Sequence, residues 1–224
     1  YFNSRYATRP DGSEVKSEDP KEYLYTMPYS TIAKYDVGKR PSPDWPGKEQ
    51  SPAIKPLATE LIDSVENYVK ANGLDPMRYN IEIKCRKGKD EGKNWPEYHE
   101  FVDKCMELLL SKNLGDRLVV QCIDPRALNY MHEKYPQVKL SYLIRKMDTD
   151  WDTYMGRLNF TPDWLSPEFV IVDQTMVDNC RKAGIRLVPW TVDNEADIRR
   201  ILDLHVEAII TNYPDRVLKI TRGY

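Results

Sequence analysis

Glu82 and Lys84 stand two residues apart in the run Tyr-Asn-Ile-Glu-Ile-Lys at positions 79–84, alternating with Ile81 and Ile83. Strand side chains alternate between faces, so the carboxylate and the ammonium project from one side and the isoleucines from the other. On an interior side such a pair costs on the order of several kcal/mol unless it serves a metal, a substrate or itself. On a solvated edge strand it is an ordinary surface pair. The hexapeptide alone leaves both readings open.

Similar residues recur just after other short apolar runs: Gln121 and Asp124, then Arg145 and Lys146, then Trp190, Thr191 and Asp193, then Thr211 and Asn212. An acid, several bases, amides and an indole in such places suit an anionic substrate held with a metal better than a purely apolar pocket. Each also has a plainer explanation. Glu82 and Lys84 can neutralise one another, Asp124 sits where a helix N-cap belongs, and Arg145 and Lys146 can be solvated loop charges. Trp190 is either core or a substrate platform. His99, His132 and His205 all fall in predicted helices, so none is placed for general acid/base work. Cys85, Cys105, Cys122 and Cys180 form no Cys-x-x-Cys pair, which argues against zinc, and Cys122 lies in an apolar run as a buried thiol would.

Strands and helices must alternate to place these residues. A helix is expected over 57–72, with Leu57, Leu61, Val65 and Val69 on one face and Gly73 as its stop. The strand at 79–84 follows, then a charged loop over 86–93. Next comes a helix over 96–113 opening on Pro96. Strands are expected at 118–123, 140–144, 169–172, 186–192 and 208–210. Helices are expected from Asp124-Pro125 to about residue 135, over 175–183 closed by Gly184, over 194–205 capped by Asn194, and over 214–220. Residues 145–168 read as a polar, Trp-bearing connection. Six short strands mostly bridged by helices mean parallel pairing through crossovers, an α/β architecture whose function gathers at the carboxyl ends of the strands.

Residues 1–56 differ. Turn-formers and charges dominate, with little periodicity, but Tyr6, Tyr23, Tyr25, Tyr29, Tyr35 and Trp45 supply aromatic surface to pack. We read an ordered, loop-rich insertion over 1–56, packed on a barrel part over 57–224. At 224 residues one sizeable core is the default. A net charge of -2 with acids and bases intermixed argues against nucleic acid as a partner. No apolar run approaches the ~20 residues of a membrane span. The chain opens on Tyr-Phe-Asn-Ser-Arg without Met or a signal peptide, which suggests a fragment or a processed product.

The order of these features resembles a known family. The run from Gly184 to Asp193, Gly-Ile-Arg-Leu-Val-Pro-Trp-Thr-Val-Asp, and the run from Glu207 to Asp215, Glu-Ala-Ile-Ile-Thr-Asn-Tyr-Pro-Asp, are similar to the carboxyl-terminal signature of the glycerophosphodiester phosphodiesterases. Asn-Ile-Glu-Ile-Lys at 80–84 resembles their central metal-binding strand, Val-Gln-Cys-Ile-Asp at 120–124 their next strand, and Tyr-Asp-Val-Gly at 35–38 the insertion before it. The resemblance implies a (β/α)8 TIM barrel, here N-terminally truncated with the loop-rich insertion at its start. It implies cleavage of a small-molecule glycerophosphodiester to glycerol 3-phosphate and an alcohol, with Ca2+ or Mg2+ as cofactor. Carried over by position, Glu82 is a metal ligand, Lys84 contacts phosphate and Trp190 lines the glycerol pocket. The family's His-Arg-Gly, Glu-x-Asp and second histidine segments belong upstream of Tyr1, so the catalytic residues are expected outside this chain, which alone is expected to turn over little or nothing. Asp193 stands where the family carries Asn, Asn212 where it carries Asp, and 205–208 where it is richer in Gly. Likeness to bacterial relatives implies a periplasmic or extracytoplasmic place, which no residue here carries. Two other readings stay open: a non-catalytic module that holds a phosphorylated ligand, and a relative acting on lysophospholipids or sphingomyelin.

Overall fold

The computed structural model describes residues 1–42, 47–85, 87–88 and 90–222. Trp45, and Arg86 at the start of the charged loop, lie outside the described residues. The chain divides into two compact units, Tyr1–Met77 with Arg86–Glu100, and Arg78–Cys85 with Phe101–Tyr224.

In the first unit Phe2, Ala7, Val15 and Tyr35 make a small buried core, with the Phe2 and Tyr35 rings stacked 3.9 Å apart. Polar clamps stand in for regular structure. The Arg9 guanidinium donates to Asp19 at 2.6 Å and to Glu22 at 2.9 Å, and the Asp36 carboxylate accepts the N–H groups of Gly38, Lys39 and Ala53. Two helices complete it, α1 (Tyr29–Ile32) and α2 (Ala58–Ala71). The buried residues of α2 are Ile62 and Val69, whereas Leu57 and Leu61 are exposed. The expected stripe therefore holds at Val65, half-buried, and Val69, and misses at the start of the helix, where Ile62 is buried in place of Leu61.

The second unit is built on a parallel five-stranded sheet in the order β1-β2-β3-β4-β5. The strands are β1 (Tyr79–Glu82), β2 (Leu118–Cys122), β3 (Lys139–Ile144), β4 (Trp164–Pro167) and β5 (Arg186–Leu187). The crossovers carry α3 (Tyr98–Ser111), α4 (Pro125–Lys134), α5 (Trp151–Met155) and α6 (Gln174–Ala183), and α7 (Glu195–Asp203) and α8 (Pro214–Thr221) follow β5. Strictly sequential order without a reversal is that of consecutive barrel staves, not of a doubly wound sheet. The outer face is apolar: Val120, Cys122, Leu140, Tyr142, Ile144, Leu165 and Leu187 are buried, as are Met106 of α3, Leu128 and Met131 of α4, Val177 of α6 and Ile198 and Ile201 of α7. Helix starts follow local chemistry. Asp124, Asp150, Asp173 and Asn194 each accept a backbone N–H of the first turn, and Gly184 ends α6 at φ 72°, where a Cβ would strain the chain.

The expected strand at 169–172 is instead a 3-10 turn, Phe169–Ile171, and the strand lies earlier, at Trp164–Pro167, inside the stretch read as a connection. Pro167 has no N–H to donate, and beyond it the bonds from Glu168 to Ile144 at 2.9 Å and from Phe169 to Trp190 at 2.8 Å continue the ladder before the apolar residues turn. Residues 208–210 are not a strand either, although Val192 and Pro189 bracket Ile210 through N–H···O bonds of 2.9 Å each. Of the strand expected at 186–192 only Arg186–Leu187 is regular, but the Val188 and Trp190 N–H groups still bond to Leu165 and Pro167 at 2.9 Å. No helix among the described residues is long and apolar enough to cross a membrane.

Two tests follow from this packing. Leu165→Ala removes a fully buried side chain from β4 and is expected to lower stability by about 2–5 kcal/mol, read as a fall in urea midpoint at constant slope. Asp103 on α3 accepts the Lys134 ammonium of α4 at 2.8 Å and the Tyr135 and Tyr130 hydroxyls at 2.7 and 3.0 Å. The Lys134 bond, then those of Tyr135 and Tyr130, hold its carboxyl below the ordinary range. A depressed folded pKa contributes stability that is present above the unfolded value, near ~4, and is lost as pH falls through the folded value. Asp103→Asn is expected to flatten the acid limb of the stability curve below about pH 4 relative to wild type, and parallel acid limbs would rule the contribution out.

Candidate functional site

Ladder register decides what meets on the inner face of the sheet. Glu82 is the Cα partner of Gln121, Gln121 of Ser141 and Ser141 of Trp164, so their side chains share a side. Ser166 lies two residues beyond Trp164, and Trp190 is bridged to Glu168, two residues further on. The inner face therefore carries Glu82, Lys84, Gln121, Ser141, Ser166 and Trp190, toward the carboxyl ends of the strands. The opposite face is the apolar, helix-covered one.

The Lys84 ammonium donates to Glu82 at 2.7 Å, with Lys84 73% and Glu82 28% exposed. At that exposure the pair adds little to stability, so the neutralising interpretation of this pair is realised without a packing gain. Trp190 is half-buried, and its indole N–H donates to the Ser166 carbonyl at 2.8 Å. It is neither core nor free: one edge is anchored and part of the ring is accessible.

Beneath these lies a polar layer that the sequence reading did not single out, apart from Gln121. Asn80 Nδ2 donates to Gln121 Oε1 at 3.0 Å, Ser166 Oγ donates to the same oxygen at 3.3 Å, and Ser141 Oγ lies 2.7 Å from Ser166 Oγ. Both serines are fully buried. Their signal was available as single hydroxyls at alternate positions within otherwise apolar strands.

The other candidates divide. Asp124 is an N-cap that also pairs with Arg126 at 2.7 Å, so its plainer reading holds. Arg145 and Lys146 are exposed, and their backbone N–H groups bond to Asp148 and Glu168. Asp193, Thr211 and Asn212 come together: the Asp193 carboxylate accepts the Thr211 hydroxyl at 3.1 Å and both the backbone and side-chain N–H of Asn212 at 2.9 Å. Arg216 donates to the Asp193 carbonyl. The cluster ties the loop after Trp190 to the turn before α8.

Each histidine has its own local partner or place in the chain. His99 bonds to Glu97, His132 stacks on Phe160 with ring centroids 4.2 Å apart, and His205 lies past the end of α7 with φ 54°, in a turn and not in the expected helix. The Cys85 bond holds the Cys122 thiol below its ordinary value, but that thiol is fully buried. Cys85, Cys122 and Cys180 are buried. Burial pushes Cys105 up to about 11 and Cys180 up to about 12, and the bond to Cys122, with burial, pushes Cys85 up.

No group of His, Cys, Asp and Glu able to hold a metal is assembled among the described residues. A calcium ion takes roughly 6–8 oxygen ligands and magnesium a near-octahedral set. Glu82, with one oxygen already on Lys84, does not supply either, so the donor set of the described residues does not fit the expected cation.

Residues 11–216 match the model of the glycerophosphoryl diester phosphodiesterase family. A glycerophosphodiester phosphodiesterase of Bacillus subtilis is 29% identical over 120 residues, which is 53% of this chain and 41% of the relative. Across the curated relatives it matches, the chain spans 41% to 64% of their length. A Silicibacter pomeroyi structure assigned as a glycerophosphoryl diester phosphodiesterase superposes with a TM-score of 0.80 at 19% identity, over 99% of this chain and 77% of that one. An Oleispira antarctica phosphodiesterase, solved with the product sn-glycerol-3-phosphate, superposes with a TM-score of 0.64 at 20% identity, over 95% and 81%. These structural likenesses carry the fold.

Asp193→Ala deprives Thr211 and Asn212 of their shared acceptor. It is expected to destabilise the chain by about 1–3 kcal/mol and to speed amide hydrogen exchange at Asn212, with unchanged exchange there as the contrary result.

Proposed function

This chain belongs to the glycerophosphoryl diester phosphodiesterase family, and we propose that it carries the substrate-holding part of a hydrolase that cleaves glycerophosphodiesters to glycerol 3-phosphate and an alcohol. The observation that supports this most is the convergence of Glu82, Lys84 and Trp190 on one sheet face at the carboxyl ends of the strands, where barrel enzymes do their chemistry. The bound glycerol 3-phosphate of the Oleispira antarctica protein gives the ligand its chemical class.

In this reading the Lys84 ammonium faces the phosphoryl oxygens and offsets the charge that builds on them. Glu82 keeps the ammonium over the strand end until an anion competes for it. Trp190, anchored at Ser166, offers an apolar surface to the glycerol carbons. Hydrolysis adds water across the phosphorus–oxygen bond to the alcohol, and the alcohol leaves with a proton. None of His99, His132 and His205 is assigned to that proton transfer, and no step is routed through a cation. The 224 residues alone are therefore expected to bind product but not to turn over substrate.

The same features favour a second reading, a module that holds a phosphorylated ligand without cleaving it, because no group of His, Cys, Asp and Glu able to hold a metal is assembled among the described residues. Hydrolysis of glycerophosphocholine by the longest natural form of the protein separates the two. Under the first reading, Lys84→Met is expected to lower kcat/KM about a hundredfold and Trp190→Ala to raise KM chiefly. Binding without any hydrolysis selects the second. Turnover by the 224 residues alone, abolished by chelator and by Glu82→Ala, would overturn the division of labour drawn here.

A further inference from the structure

We propose that Gln121 is a substrate-binding residue whose side-chain N–H groups donate to an oxygen of the glycerol phosphate group, an inference that rests on the reading above. Gln121 is 8% exposed, on the same face as Glu82 and directly across the ladder from it. Its amide oxygen is already taken, by Asn80 Nδ2 at 3.0 Å and Ser166 Oγ at 3.3 Å. With its oxygen held from β1 and from β4, the carboxamide cannot turn without breaking both bonds. Among the described residues nothing accepts from Nε2. Unlike the Trp164 indole nitrogen, which is buried without a partner, Gln121 Nε2 reaches solvent on this face, so both of its protons are open to an acceptor on a ligand.

The surroundings favour a phosphorylated ligand over a passive water. Ser166 is the hub: its hydroxyl orients Gln121, its carbonyl anchors the Trp190 indole at 2.8 Å, and Ser141 supports it from β3 at 2.7 Å. One buried residue thus sets the direction of both a hydrogen-bond donor and an aromatic platform. Lys84 adds a cation to the same face. A neutral donor, an ammonium and an indole are the groups that read a ligand with anionic oxygens and a short carbon chain. Ser141, Ser166 and Asn80 are positioning residues in this account, because they act through Gln121 and Trp190.

Gln121→Glu tests it in the full chain. The substitution keeps an oxygen for Asn80 and Ser166 but removes the N–H donors. The expected result at pH 8 is an unchanged melting temperature with glycerol 3-phosphate binding, read by titration calorimetry, weakened about ten- to a hundredfold. The deficit relative to wild type is expected to shrink toward about pH 5, as the introduced carboxyl takes up a proton and can donate again. Ser141→Ala, which leaves the donor in place, is expected to cost less. Wild-type affinity in a folded Gln121→Glu variant overturns the inference, and so does a loss that tracks a fallen melting temperature and ignores pH. If the wild-type chain neither binds glycerol 3-phosphate nor hydrolyses its diesters, the reading of the previous subsection fails, and this one with it.

Discussion

The parallel register between β1 and β2 is the constraint on which the rest of the candidate site depends. Glu82 opposite Gln121 puts one carboxylate and one carboxamide on the inner face and leaves Ile83 and Cys122 on the buried outer face. A slip of one residue would reverse every side chain, sending Glu82 under the helices and the isoleucines into the polar layer. The apolar outer face forbids that slip, because it would exchange buried aliphatic surface for an unpaired carboxylate. Packing on one side of the sheet thereby fixes the chemistry on the other.

Much of this was legible in the residues. Alternation around Glu82 and Lys84, the N-cap chemistry of Asp124 and Asn194, and the stop at Gly184 all follow from local rules, and the structure obeys them. What could not be read was β4. Its Trp-Leu-Ser-Pro sequence carries a proline and two inward polar groups, so local propensity points to a turn, and only pairing with Tyr142 and Leu143 on one side and Leu187 on the other makes it a strand. The strand was instead expected in the apolar Phe-Val-Ile-Val that follows, where the chain has already turned. Missing β4 also hid Ser166, and with it the layer that joins Gln121 to Trp190.

Two departures from the family pattern become intelligible in space. Asp193 and Asn212 carry types exchanged relative to the resemblance, and they are hydrogen-bonded partners. A carboxylate and an amide that face each other can trade places with the bond retained, so the exchange alters which loop bears the charge more than whether the loops are joined. His205 adopts φ 54°, a conformation that glycine reaches without strain, in the segment where the family is richer in Gly.

Gln121, Ser141 and Ser166, buried, with the exposed Asn80 bonded to Gln121, are a poor choice if stability alone is at stake, since aliphatic residues of similar volume would fill the space with no polar group to satisfy. They hold each other nearly completely: the serine hydroxyls face one another, and the Gln121 oxygen takes two donors. The Gln121 nitrogen has no protein acceptor among the described residues and reaches solvent on the face that carries Glu82, Lys84 and Trp190. A network that satisfied every donor internally would rigidify the sheet and do nothing more. One that leaves the Gln121 amide protons to solvent, on the face that also carries Lys84, has them where a phosphorylated ligand would meet them.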